Sequence, residues 1–160
     1  MLVLTAGAML ASVGSGMSST AYSMAASSAV LPDVSQPNIV INPGGSCDFQ
    51  NADWPHASRH NPGNVKAGWG VACSTQQSSI TLTVSIWEKF SNTIESFYLD
   101  VASSSKTYSN ISSIRQQIVL YACGGQGTQT YYAQAVARFT GDGNSATITT
   151  QSPFVDVTCN

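Results

Sequence analysis

Three features of this 160-residue chain predict an all-β fold, an antiparallel β-sandwich of six to eight strands. Apolar and polar residues alternate with period two in several segments. Four cysteines fall within residues 47–159. Polarity comes from 24 Ser and 14 Thr rather than from charge, since only 9% of residues are charged. A net charge of -2 with no basic run excludes a nucleic-acid binder, which needs Lys and Arg to neutralise phosphates. Mean hydropathy near zero and 42% apolar content exclude a disordered chain and a helical membrane bundle.

Residues 1–29 contain no Asp, Glu, Lys, Arg, His or Cys. Their apolar stretch, Met1 to about Val13, is too short for a helix crossing ~30 Å of hydrocarbon. Small residues follow, with Ala25, Ala26 and Ala29 as cleavage points, so the segment reads as a signal peptide. Its basic n-region is missing, which places the true start in question. A disordered tail and an uncleaved anchor are the alternatives. Residues 30–46 read as a linker punctuated by Pro32, Pro37, Pro43 and Gly44-Gly45, with Asn38–Ile41 as a short edge strand. The β-sandwich domain is expected over residues 38–160.

Within it, Ser79–Phe90 is the clearest strand. Ile80, Leu82, Val84 and Ile86 alternate with Thr81, Thr83, Ser85 and Trp87. Ile94–Ala102 repeats the pattern with Phe97, Leu99 and Val101, and Ile114–Cys123 follows with Ile114, Ile118, Leu120 and Ala122. The Ser-rich stretch Ser103–Ser113 between them reads as a loop. Thr128–Thr140 is a strand of mixed facing that puts Tyr131 and Tyr132 on opposite faces. Ala146–Thr150 and Phe154–Cys159 end the chain. Gly124–Gly127 and Gly141–Asn144 supply turns, because glycine reaches positive φ without steric cost. This spacing suits an immunoglobulin-like sandwich, although the Cys…Trp…Cys arrangement of antibody domains is absent.

An even set of cysteines in an exported chain points to disulfides. Of three connectivities, Cys47–Cys73 with Cys123–Cys159 is preferred because both pairs are local, each stabilising by roughly 3.5–4 kcal/mol. The competing zinc site, Cys47, His56, His60 and Cys73, lacks the usual close ligand spacing. Pro55 and Pro62 also disfavour a helix that would align the two histidines.

Catalytic patterns are sparse. No G-x-S-x-G occurs, and Gly44-Gly45-Ser46-Cys47 reads as a flexible approach to a disulfide. The only glutamates, Glu88 and Glu95, fall near one hairpin, expected to be a solvated edge. Asp48, Asp53 and His56 offer an Asp–His dyad, with a hydrogen-bonded structural histidine as the alternative. Asn110-Ile111-Ser112 is a glycosylation sequon of little weight in so Ser-rich a chain. The aromatics Trp54, Trp69, Trp87, Tyr98, Tyr108, Tyr121, Tyr131 and Tyr132 either pack the sandwich or contact a ligand; Trp54, Trp69 and Trp87 are the candidate ligand contacts.

The segment Asp53-Trp54-Pro55-His56-Ala57-Ser58, with Pro62-Gly63, Val65 and Cys73, precedes Cys123-Gly124-Gly125, Thr130-Tyr131-Tyr132-Ala133 and Cys159. Together with the leader, these residues resemble small exported actinobacterial proteins with a Pro-His-x-Ser segment and two disulfides. The resemblance covers Cys47–Cys159 and implies an exported β-rich domain, without assigning catalytic residues or a ligand. The physical reading of the same motif is a chain corner. Pro55 suits a strand entry, and His56 or Ser58 satisfies a free backbone group.

The expected function is therefore non-enzymatic binding or structure at or outside the cell surface, with no cofactor and no membrane span in the mature chain. The partner is a cell-surface, cell-wall or protein component, or another copy joined through a charge-poor edge strand. A small secreted hydrolase using Asp48, Asp53 and His56, an inhibitor using the 103–113 loop, and a carbohydrate-binding module with coplanar exposed tryptophans are the alternatives.

Overall fold

The computed structural model describes residues 39–41, 45–141 and 143–159. The expected leader and most of the linker lie outside them. The described residues form seven strands and no helix. These are β1 (Ile39–Ile41), β2 (Gly45–Ala57), β3 (Asn64–Ser91), β4 (Ser96–Ala122), β5 (Gly127–Gly141), β6 (Asn144–Gln151) and β7 (Val155–Cys159). Every pairing is antiparallel. Gly45 and Ser46, which the sequence placed in the linker, begin β2.

The hydrogen-bonded order is β1-β2-β3-β5-β6, with β4 also on β3 and β7 on β5. All seven strands belong to one hydrogen-bonded sheet, within which β3 serves two neighbourhoods. Its first part pairs with β2 and the end of β4; its second part pairs with the start of β4 and with β5. Buried positions follow this division. Val65, Ala67, Trp69 and Val71 have odd numbers, whereas Ile80, Leu82, Val84 and Ile86 have even ones. The change of parity occurs between Ala72 and Gln77, where four intervening residues of β3 face a single residue of β4, Ser112. Such an insertion turns a strand's apolar set to the other side. Both stretches of β3 therefore feed one core, completed by Ile114, Val119, Ala133, Ala135, Ala137, Phe139, Ile148 and Val157. Burying each large aliphatic side chain contributes about 1.5–3 kcal/mol.

The 103–113 stretch is strand, not loop. Thr81, Thr83 and the buried Ser85 on β3 lie opposite Thr107, Ser105 and Ser103, and each pair is joined hydroxyl to hydroxyl at 2.8–3.0 Å. Paired hydroxyls are a stabilising cross-strand contact. A sheet face built from them has the composition of a loop, which is why the sequence reading failed there.

Both expected disulfides are present, Cys47–Cys73 and Cys123–Cys159. The first joins directly paired residues of β2 and β3; the second ties the chain just after β4 to the end of β7. They close segments of 26 and 36 residues, worth about 3.5 and 3.8 kcal/mol in unfolded-chain entropy. Since Cys47 and Cys73 are bonded to each other, the four-ligand zinc reading does not hold.

Candidate binding groove beside β2

Two irregularities aim the β2 side chains. The register with β3 slips once between Gln50 and Asp53 and again between Asp53 and His56. Asn51, at the first slip, has φ of 51° and donates its Nδ2–H to the Arg115 carbonyl at 3.0 Å. Asn tolerates that conformation better than most residues. Pro55, buried at the second slip, lies within β2 rather than at its entry. A proline at a bulge forfeits no ladder donor.

Opposite β2, the chain kinks between β6 and β7. Ser152 there is 4% exposed; its N–H donates to the Ala133 carbonyl at 2.8 Å, and its Oγ accepts the Ala133 N–H at 2.9 Å. The same hydroxyl donates to the Pro153 carbonyl at 2.8 Å. A side chain thus completes the ladder where Pro153 supplies no N–H.

Between these features lies a hollow of about 210 Å³, lined by Phe49, Ala52 and Trp54 of β2, Trp69 of β3, Thr150 and Gln151 of β6, and Pro153. Trp69 is only 2% exposed and belongs to the core, while Trp54 is 54% exposed. The groove therefore combines an accessible indole, an apolar lining and two polar side chains. Thr150 and Gln151 carried no signal in the sequence, because only the kink at Ser152 brings them opposite β2.

The three candidate tryptophans do not form one exposed platform. Trp54 and Trp69 share the groove, one exposed and one buried, whereas Trp87 stacks on Tyr132, with centroids 5.8 Å apart and planes within 5°. Tyr98 and Phe154 pack against Tyr132 at 5.3 Å each. These rings use their faces on one another, and the Trp87 Nε1–H is buried without an acceptor. Burial, with Tyr98 and Asp100 nearby, pushes the Tyr132 phenol up to about 12.

The inner face at this end also departs from expectation. Glu88, expected at a solvated edge, is 2% exposed, and its Oε2 has no hydrogen-bond partner. It lies against Tyr121 and Tyr131, and burial first, then this carboxylate, raises both phenols. Tyr131 is wholly buried; its hydroxyl donates to Cys159 Sγ at 3.7 Å. Glu95 lies in the exposed turn between β3 and β4. The two glutamates therefore share a hairpin without sharing a cleft.

Asp53 and His56 do meet, with Nδ1 to Oδ1 at 3.4 Å, and Lys66 Nζ stands 2.8 Å from Asp53 Oδ2. His56 Nδ1–H also donates to the Trp54 carbonyl at 2.8 Å, the local backbone role expected of this motif. Asp48, a β2 residue paired with Ala72, takes no part in this pair of contacts. Ser58 is buried and accepts the Asn61 N–H at 3.2 Å, holding the turn from β2 into β3. Protein-family models and curated proteins contain no match to this sequence.

Proposed function

We propose that this chain is an exported, non-enzymatic binding domain acting at or outside the cell surface, which receives its ligand in the Trp54 groove. The single observation carrying this reading is the exposed indole of Trp54 beside the apolar hollow it shares with Phe49, Trp69 and Pro153. Burying such an indole contributes strongly to binding, and tryptophan is enriched among the residues that dominate interface energetics. Two disulfides favour an oxidising compartment. The resemblance to exported actinobacterial proteins supports the same location.

A glycan is the ligand class the groove suits best. Sugar rings present apolar C–H faces to an indole and hydroxyls to polar neighbours, here Thr150 and Gln151. Tryptophan fluorescence titrated with soluble wall and plant polysaccharides tests this. A saturable change is expected with at least one glycan, weakened about 30-fold in Trp54→Ala, a hot-spot loss of about 2 kcal/mol, and kept in Trp87→Ala. No response to any glycan would remove the ligand class. A response that survives Trp54→Ala would move the site elsewhere.

A further inference from the structure

Eight side chains of this chain are basic, six Lys or Arg and two His. Four of them, His56, Arg59, His60 and Lys66, line a single hollow of about 240 Å³ together with Ser58. Half of the basic groups of a chain with net charge -2 thus meet in one place, on the turn from β2 to β3. Asp53 pairs with two of them, Lys66 at 2.8 Å and His56 at 3.4 Å. The side chains of Arg59 and His60 make no hydrogen bond or ion pair with the described residues. Ser58 Oγ accepts the Asn61 N–H and keeps its own proton to donate.

We infer that this hollow binds a tetrahedral oxyanion, a phosphate or sulfate group. The donors are matched to that chemistry. A guanidinium offers a planar fork, an ammonium a compact point charge, and imidazole and hydroxyl add directional donors. Asp53 already shows a carboxylate held by Lys66, with His56 beside it, and it leaves Arg59 and His60 to an incoming group. The ligand competes with Asp53 for Lys66 and displaces no backbone hydrogen bond. Ser58 and the Asn64 carbonyl, joined at 2.8 Å, fix the turn that carries Arg59 and His60, so the donors are mounted on a closed loop. The site is separate in chemistry and residues from the Trp54 groove, and neither reading depends on the other.

Backbone amide NMR of the full isotope-labelled chain tests it, with ionic strength held at about 0.1 M by chloride so that general screening stays constant. Inorganic phosphate, sulfate, dimethyl phosphate and acetate are titrated in separate arms. Saturable shifts confined to residues 53–66 are expected, with a Kd of about 1 mM for phosphate. Arg59→Gln with His60→Asn is expected to weaken binding by at least about tenfold, and Arg138→Gln to leave it unchanged. Asp53→Asn is expected to tighten it by removing the competitor for Lys66. Saturation by phosphate or sulfate supports a free or monoester ligand; saturation by dimethyl phosphate alone supports a diester at the same site. Shifts that never saturate, that persist in the double variant, or that acetate reproduces with equal affinity would overturn the inference.

Discussion

Gly70 lies in β3 beneath two bulges. A Cβ at this position would run into the Ile114 and Arg115 carbonyls. β4 carries an extra residue there, since Trp69 pairs with Gln117 but Val71 pairs with Ile114. β2 reaches the same point through Asn51, whose side chain bonds the Arg115 carbonyl. The neighbours of Gly70 are backbone atoms, which cannot swing aside as the end of a long side chain would. Gly70→Ala is therefore expected to lower stability by about 1–3 kcal/mol, read as a shift in urea midpoint at unchanged slope. Gly124→Ala is the control, since its added Cβ would meet only the Gly63 carbonyl at 3.9 Å. The one-dimensional pattern marks Gly124 as a turn residue but carries no sign of the close approach at Gly70, which involves residues more than 40 positions away.

Strands were legible where one face is apolar and the other polar. Ile80–Ile86 shows that alternation, and its buried members are those expected. Three other stretches concealed their structure for different reasons. β4 between Ser103 and Ser113 hid behind its hydroxyls, which have partners only once β3 lies alongside. β2 hid behind its two register slips, which destroy any period of two. The irregularity at Ala72–Gln77 hid because its cause is the change of neighbours along β3, with buried Gln77 bonding Thr75 through its own amide. The junction of β6 and β7 gives the element-scale prediction. Ser152→Ala removes the acceptor of the Ala133 N–H at a wholly buried residue, so a loss of about 1–3 kcal/mol is expected in chemical denaturation. Ser152→Thr keeps the oxygen and should recover part of that loss. Faster hydrogen exchange at the Ala133 amide in the alanine variant would tie the effect to this bond.

Across the molecule, the candidate site was half visible in advance. Trp54 and Trp69 were singled out as aromatics, but their different fates depend on which side of the β2 slips and the β3 parity change each one falls. Thr150, Gln151 and Pro153 enter only through the fold, as does the gathering of Arg59, His60 and Lys66 around His56. The disulfides were the most legible feature, because local pairs in an even set leave few alternatives.

Their placement divides the chain in a way that bears on how it comes apart. One covalent loop lies wholly before the turn at residues 92–95 and the other wholly after it. A single protease cut in that turn would therefore yield two unlinked pieces, one ending in β3 and one beginning with β4, whereas a cut at 58–63 would leave everything covalently joined. The severed pieces would be held by the ladders of β3 with β4 and β5, by the shared core, and by bonds such as Asn51 to the Arg115 carbonyl and the Cys123 N–H to the Gly63 carbonyl. On a non-reducing denaturing gel the first cut is expected to give two bands and the second one. Mixed after separation, the two pieces should reassemble, making this protein a natural split pair whose halves trade strands without breaking a single sulfur bond.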